Sequence, residues 1–270
     1  MPKILVDAGV PLVSKLKFIS WNVNSLRARE PLVQKLIEQE NPDILCVQEL
    51  KIDDGEYVDN FFTSYDYQTI SQTQKSYNGV SISIKNQNSF KELKLSKLND
   101  HQARNNTVIF EDKNIVLLNN YFPNGNPIDS EKFDFKKQWM DDLYNEVKNL
   151  KKKYEIIITG DFNVIPEDDD AHDIKKYKKD ALAQPESRKE FYKYLNLDLL
   201  DVFENQPKNQ SYTFFDYKTY KFGKEEGIRI DFFLTSPFLK SKVMKVKVLK
   251  EYREMERPSD HCPIMMQLNI

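Results

Sequence analysis

The sequence predicts an α/β protein built as a two-layered mixed β-sandwich flanked by helices. Strand-like and helix-like segments alternate along 270 residues, a length that suits one α/β sandwich. Many of the strand-like segments are near neighbours joined by short polar turns, which a pure βαβ repeat would not give. No Gly-x-Gly-x-x-Gly occurs, so the fingerprint of a dinucleotide-binding Rossmann sheet is missing.

Composition sets further bounds. Hydrophobic residues make up 40% and charged residues 30% of the chain, enough for a large core beneath a well-solvated surface. No apolar run approaches the roughly 18 residues a membrane helix needs. The opening MPKILVDAGVPLVS is interrupted by Asp7 and Pro11, so it reads as a flexible extension over residues 1–14 rather than a signal peptide. Residues 15–270 then form a single domain, expected as a monomer because no amphipathic face is left over. Two cysteines, Cys46 and Cys262, make neither a disulfide framework nor a metal-ligand set, and a reducing cytoplasm is the expected compartment. A net charge of −2 does not announce a nucleic-acid binder; a polyanion site must draw on local positive charge or a metal ion.

Taken in order, Lys15–Ser20 reads as a first strand with Trp21, Asn22, Val23 and Asn24 at its end. Ser25 is placed to cap a helix whose face carries Leu32, Val33, Leu36 and Ile37 and which ends before Asn41-Pro42. Asp43–Gln48 is a second buried strand that delivers Glu49, Leu50 and Lys51. Tyr65–Ile70 with Gly79–Ile84, and Thr107–Phe110 with Ile115–Tyr121, read as strand pairs. Ser130–Lys153 is the longest helical pattern, with Phe135, Trp139, Leu143, Val147 and Leu150 on one stripe and Lys151–Lys153 favourable at its C-terminus. Ile156, Ile157 and Ile158 form a doubly buried strand that ends in Gly160, Asp161, Phe162 and Asn163. Asp168–Lys179 lacks apolar periodicity and reads as an exposed loop. A short helix over Glu186–Leu195 and late strands at Tyr212–Phe215, Ile228–Leu234, Val243–Val248 and Pro263–Leu268 complete the chain.

The strand ends carry the chemistry. They present Asn22, Glu49, Tyr121, Asp161 with Asn163, Asp231, and Asp260 with His261. Several oxygen donors without a cysteine or histidine cluster suit a hard cation, Mg²⁺ or Mn²⁺, rather than zinc. Each residue alone has a bland reading: a solvated strand end for Glu49, an Asp/Asn turn for Asp161, a salt bridge to Arg229 for Asp231. His101 and His172 lie in polar, loop-like surroundings. His261, bracketed by Pro258 and Pro263 beside a carboxylate, is the histidine suited to proton transfer or phosphate contact.

Eight stretches, SWNVNSLRAR, PDILCVQELK, KSYNGVSI, NNYFPNGNP, TGDFNVIP, YTFFDY, GIRIDFFL and RPSDH, resemble in order and spacing the bacterial exonuclease III family. That family comprises AP endonucleases of the endonuclease/exonuclease/phosphatase superfamily, and the resemblance covers nearly the whole chain from Lys17. It implies a DNase I-like fold and a Mg²⁺-dependent repair nuclease acting on double-stranded, especially abasic, DNA. It implies Asn22, Glu49 and Asp260 at the metal, Asp161 and Asn163 at the attacking water, and His261 with Asp231, Tyr121 and Asn124 at the scissile phosphate. Lys51 and Arg104 would touch the DNA backbone at the rim. Phe214, Ile228 and Ile230 match the pocket for a base-free sugar. Many relatives carry Trp where this chain has Phe214 and Phe215, and some carry an acid where it has Asn24. The other readings are another phosphodiesterase or phosphatase of the superfamily, or an inert DNA-binding relative; the first lacks a second motif histidine here, and the second should have lost a site residue.

Overall fold

The computed structural model describes residues 15–99, 102–218 and 226–270; the 1–14 extension and His101 lie outside them. Twelve described strands form two six-stranded sheets. The first contains β1 (Lys15–Asn22), β2 (Ile44–Gln48), β3 (Tyr67–Gln72) and β4 (Val80–Lys85). The second contains β5 (Lys91–Glu92), β6 (Asn105–Phe110), β7 (Ile115–Tyr121), β8 (Glu155–Asp161), β9 (Leu200–Asp201) and β10 (Asp231–Thr235). β11 (Val243–Val248) and β12 (Ile264–Asn269) return to the first sheet, giving the order β11-β12-β1-β2-β4-β3 beside β5-β6-β7-β8-β10-β9. Each sheet holds one parallel pair, β1 with β2 and β7 with β8, among antiparallel neighbours. The parallel pairs require crossovers, supplied by α1 (Leu26–Glu40) and α4 (Glu131–Leu150). The shorter α2 (Gly55–Thr63), α3 (Ser96–Asn99), α5 (Pro185–Leu195) and α6 (Pro237–Lys240) complete the described α-helices, beside short 3-10 turns.

Side-chain alternation along β8 explains the layering. Ile157 joins the core between the sheets with Phe18, Ile44, Leu117 and Met266. Ile156 and Ile158 face the opposite way, into the cluster of Trp139, Met140, Leu143 and Val147 on α4. On the other outer face, Leu32, Val33, Leu36 and Ile37 of α1 cover Ile19, Leu45 and Val47. The two-layered sandwich expected from the sequence is the observed one. None of the described helices is long and apolar enough to cross a membrane.

Several local expectations are corrected. Ser25 has φ 90 and its side chain makes no capping hydrogen bond. The Tyr212–Phe215 strand reduces to single bridges from Phe214 to Ile228 and His261, and β10 begins only at Asp231. The Asp168–Lys179 loop has a buried floor, because Asp170 is fully enclosed. The inner stripe of α4 runs through Phe133, Lys136, Trp139, Met140, Leu143 and Val147, with Phe135 and Leu150 only half-buried.

Candidate active site

Strand register gathers the polar strand ends. Tyr121 pairs with Asp161 across β7 and β8, and Asp231 pairs with Asp161 across β10 and β8, so three site residues share one row at the end of the second sheet. Asn22 pairs with Gln48 at the matching end of the first sheet, which sets Glu49 just beyond it. Gly160 makes the row possible. Its φ is 127, and a Cβ there would meet the Asn120 carbonyl oxygen at 1.9 Å, so only glycine lets β8 lie this close to β7 while presenting Asp161.

Asn22 ties the two sheets together. Its Nδ2 donates to Glu49 Oε1 at 2.8 Å and to Asp161 Oδ2 at 3.0 Å, and its Oδ1 accepts the Asn24 N–H at 3.0 Å. Asp161 also accepts from the Asn163 N–H at 2.9 Å and from Asn163 Nδ2 at 3.2 Å. His261 Nδ1 lies 2.9 Å from Asp231 Oδ2, and Nε2 lies 3.7 Å from Asp161 Oδ2. Trp21 Nε1 donates to the His261 carbonyl at 2.9 Å, while Ser259 Oγ donates to the Asn22 carbonyl at 2.7 Å. Both contacts pin the 258–263 segment over the end of β1. Asp231 turns to His261, and Arg229 instead binds Asp170 and Asp201; the Arg229–Asp231 bridge does not form.

Burial and like charge perturb this cluster. Burial, reinforced by Asp231 and Glu49 and opposed by His261, lifts the Asp161 carboxyl to about 7. Burial disfavours the His261 cation, yet the carboxylates of Asp231 and Asp161 outweigh it and raise the imidazole to about 10. Burial also pushes Glu49 up, but Lys51 and the hydrogen bonds from Lys51 and Asn22 carry it below the ordinary value. Tyr121, enclosed beside Glu49 and Asp161, is raised well above the normal phenol range. The result is a protonated donor, a cationic imidazole and a carboxyl poised near neutrality within one cleft.

The remaining expected residues divide. Asn124 is exposed at the lip and its Nδ2 lies 3.4 Å from Asn163 Oδ1. Lys51 does not reach out from the rim; its Nζ lies 2.6 Å from Glu49 Oε2 and 2.6 Å from Asn24 Oδ1. Arg104 is buried rather than at the rim, with its guanidinium 4.8 Å from the Tyr121 ring centroid. Asp260 accepts from Asn24 Nδ2 at 3.2 Å. Ile228 and Ile230 are closed into a cluster with Ile165, Ala171 and Leu182, and Phe214 packs on its edge. Phe214 meets the His261 ring edge-on at 5.0 Å. His172 is exposed.

The donor set constrains the metal that the cleft could hold. Among the described residues, no group of three or more His, Cys, Asp or Glu side chains is arranged to hold one, which argues against a closed zinc-type cage. An ionised Glu49 and the Asp260 carboxylate beside amides fit a hard cation that keeps most of its water. The Lys51 ammonium against Glu49 and Asn24 shows that positive charge is accommodated there.

Lys136 was missed in the sequence. Its Nζ donates to the backbone carbonyls of Asn163 at 2.5 Å, Asn124 at 3.2 Å and Ala181 at 3.5 Å. The signal was present: Lys136 sits four residues before Met140 and seven before Leu143, on the inner stripe of α4.

A two-sheet α/β sandwich with this carboxylate, amide and histidine cluster at one end defines a hydrolase class. The chain belongs to the endonuclease/exonuclease/phosphatase family, whose model matches residues 19–261. It is 30% identical over 264 residues to exodeoxyribonuclease III of Haemophilus influenzae, covering 92% of this chain and 98% of that protein. It superposes with a TM-score of 0.86 and 32% identity on a 3′ phosphatase from Neisseria solved with a product DNA hairpin, over 94% of this chain and all of that one. An AP endonuclease from Archaeoglobus fulgidus gives a TM-score of 0.83 and 30% identity over the same shares. The chain is therefore an enzyme, a hydrolase of the exonuclease III and AP endonuclease type.

Proposed function

We propose that this protein is a Mg²⁺-dependent DNA repair nuclease. It hydrolyses phosphodiester bonds 5′ to abasic sites, removes nucleotides 3′ to 5′ from duplex ends and clears blocked 3′ ends. The observation that carries the reading is the Asp161 environment. A carboxyl raised to about 7 lies beside a cationic His261 that Asp231 holds from behind.

Glu49 would hold the metal, with Asn22 and Asp260 beside it. When bound, Mg²⁺ neutralises negative charge developing on the phosphoryl oxygens. Asp161 accepts the proton of the attacking water, a task for which a value near the working pH is best. Asn163, fixed to both Asp161 oxygens, orients that water. The imidazolium of His261 faces the scissile phosphate, and Asp231 keeps it charged and aligned. Tyr121 donates its phenol proton to the same phosphate, and Arg104 stacked on its ring holds it there. Asn124 meets the phosphate from the lip, and Lys51 balances charge next to Glu49. Preorganised donors of this kind contribute several kcal/mol in a partly dried cleft. Phe214, packed on the edge of the Ile228 and Ile230 cluster and against the His261 ring, would meet a flipped base-free sugar and exclude a nucleotide.

The test is cleavage of a labelled duplex bearing one tetrahydrofuran abasic analogue, in Mg²⁺ and in EDTA, beside an undamaged blunt duplex and one ending in a 3′ phosphate. A nick 5′ to the analogue only in Mg²⁺ is expected. Silence on all three substrates with the fold intact would overturn the reading.

A further inference from the structure

Lys136 is the one fully buried lysine among the described residues, and the expected metal, water and phosphate contacts give it no task. Its surroundings are specific. The three carbonyls it meets belong to three separate segments: the turn after β7, the turn after β8, and the 181–183 segment. An ammonium has three N–H donors and no acceptor, so it matches three carbonyls, whereas a neutral amine would leave one unpaired and set a lone pair against oxygen. Burial pulls Lys136 down to about 7, and the Asp161 and Asp180 carboxylates oppose that fall. The stem of the side chain is also used. A Cβ on Gly125 would come within 2.6 Å of Lys136 Cδ, so the turn carrying Asn124 lies directly on the lysine.

We infer that Lys136 is a positioning residue for the reaction: its ammonium clamps the backbones that carry Asn124 and Asn163 and so sets both carboxamides over Asp161. The inference rests on the roles proposed above for Asn163 and Asn124. At their strand ends the two turns are also tied by the Phe122 N–H donating to the Asp161 carbonyl at 2.9 Å and by the stacked Phe122 and Phe162 rings, and nearer their tips by Asn124 Nδ2, 3.4 Å from Asn163 Oδ1. Asn163 Nδ2 donates to the Phe122 carbonyl at 2.9 Å, and Asn126 bonds Asp180 and the Ala181 N–H, both at 2.9 Å. Those bonds hold the outer edges, while Lys136 reaches both asparagine backbones. A cation also attracts carbonyl oxygens that would otherwise repel one another, so removing it should let the turns part. An error on the order of 1 Å in a catalytic group costs on the order of a hundredfold in rate, which gives the clamp kinetic weight without any contact to substrate.

Two variants test this: Lys136→Met, which keeps the stem and removes every donor, and Lys136→Gln, which keeps one amide able to hold part of the set. On the tetrahydrofuran duplex in Mg²⁺, kcat should fall at least about tenfold for Met and less for Gln, with KM within about threefold. Hydrogen exchange should quicken in peptides spanning 122–127 and 162–166 and stay unchanged in β1 and β2. If Lys136→Met keeps kcat within about twofold and exchange matches the wild type, the inference is overturned. Exchange that quickens evenly through both sheets would assign Lys136 to bulk stability and overturn it equally. Should the wild type itself leave the abasic duplex uncut, the proposed function fails, and the exchange comparison still decides the role of Lys136.

Discussion

Arg229 and Asp231 are two residues apart, yet each belongs to a different buried ionic cluster. Arg229 donates from Nε to Asp170 at 2.8 Å and pairs through its other side with Asp201, while Lys208 adds a second cation 2.8 Å from Asp170. Every charge in that group meets its opposite, and although burial works against the guanidinium, Asp201 and Asp170 more than offset it and raise Arg229. Asp231 belongs to the other kind. It shares His261 with Asp161, and Asp161 is left so poorly compensated that its carboxyl rises to about 7. A structural cluster satisfies its charges internally; a catalytic one leaves charge for the substrate to complete.

The largest effect should come from Asp161→Asn. Loss of the proton acceptor should lower kcat on abasic DNA about a thousandfold. Stability should move the other way. A carboxyl raised in the folded state contributes stability that is full below its ordinary value of 3.8 and lost as pH rises through about 7, because the unfolded chain releases its proton first. In EDTA the asparagine variant should therefore gain thermal stability relative to wild type between about pH 4.5 and pH 8. A flat difference in unfolding temperature across that window would show that Asp161 is compensated after all, and the contrast between the clusters would collapse.

Arg229→Leu probes the compensated cluster. Removing one member of a buried pair leaves Asp170, fully enclosed, without its main partner, and should cost about 3 kcal/mol. Urea unfolding should report that loss, while kcat per folded molecule stays within about twofold. An equal drop in kcat would mean that the clusters act as one network through Ile230, which lies between Arg229 and Asp231 in sequence.

The two clusters were unequally legible. Asp161, Asn22, Glu49 and His261 stand at the ends of apolar β-branched runs or beside prolines, so local pattern exposes them. Asp170 lies in a stretch of alternating charge that reads as solvated loop. It is buried because Arg229 and Lys208, 59 and 38 residues further on, neutralise it, and no local pattern encodes partners so remote. The sheets were readable because runs such as Ile156–Ile158 must be covered on both faces. α2 escaped notice because it is short, with only Val58 and Phe62 buried. Arg104 was expected at the rim on the strength of the resemblance, yet Tyr121 supplies both a ring for it to stack on and a carbonyl 3.0 Å from its guanidinium. Lys136 shows the converse: its spacing marked an inward position, and only its charge argued against reading it so.

Lys208→Ala should have the smallest effect and gives the comparison its finest edge. Lys208 contacts the same Asp170 oxygen as Arg229, but about a third of its side chain is exposed (32%). Water and salt screen such a charge, and a partly exposed pair is worth about 0–1 kcal/mol. With Arg229 still in place, Asp170 keeps its hydrogen-bonded cation, so the loss should stay under about 1 kcal/mol and shrink further at about 1 M salt, where the screening length is only about 3 Å. A salt-insensitive loss near that of Arg229→Leu would instead mean that Asp170 needs both cations, and that the structural cluster is as finely poised as the catalytic one.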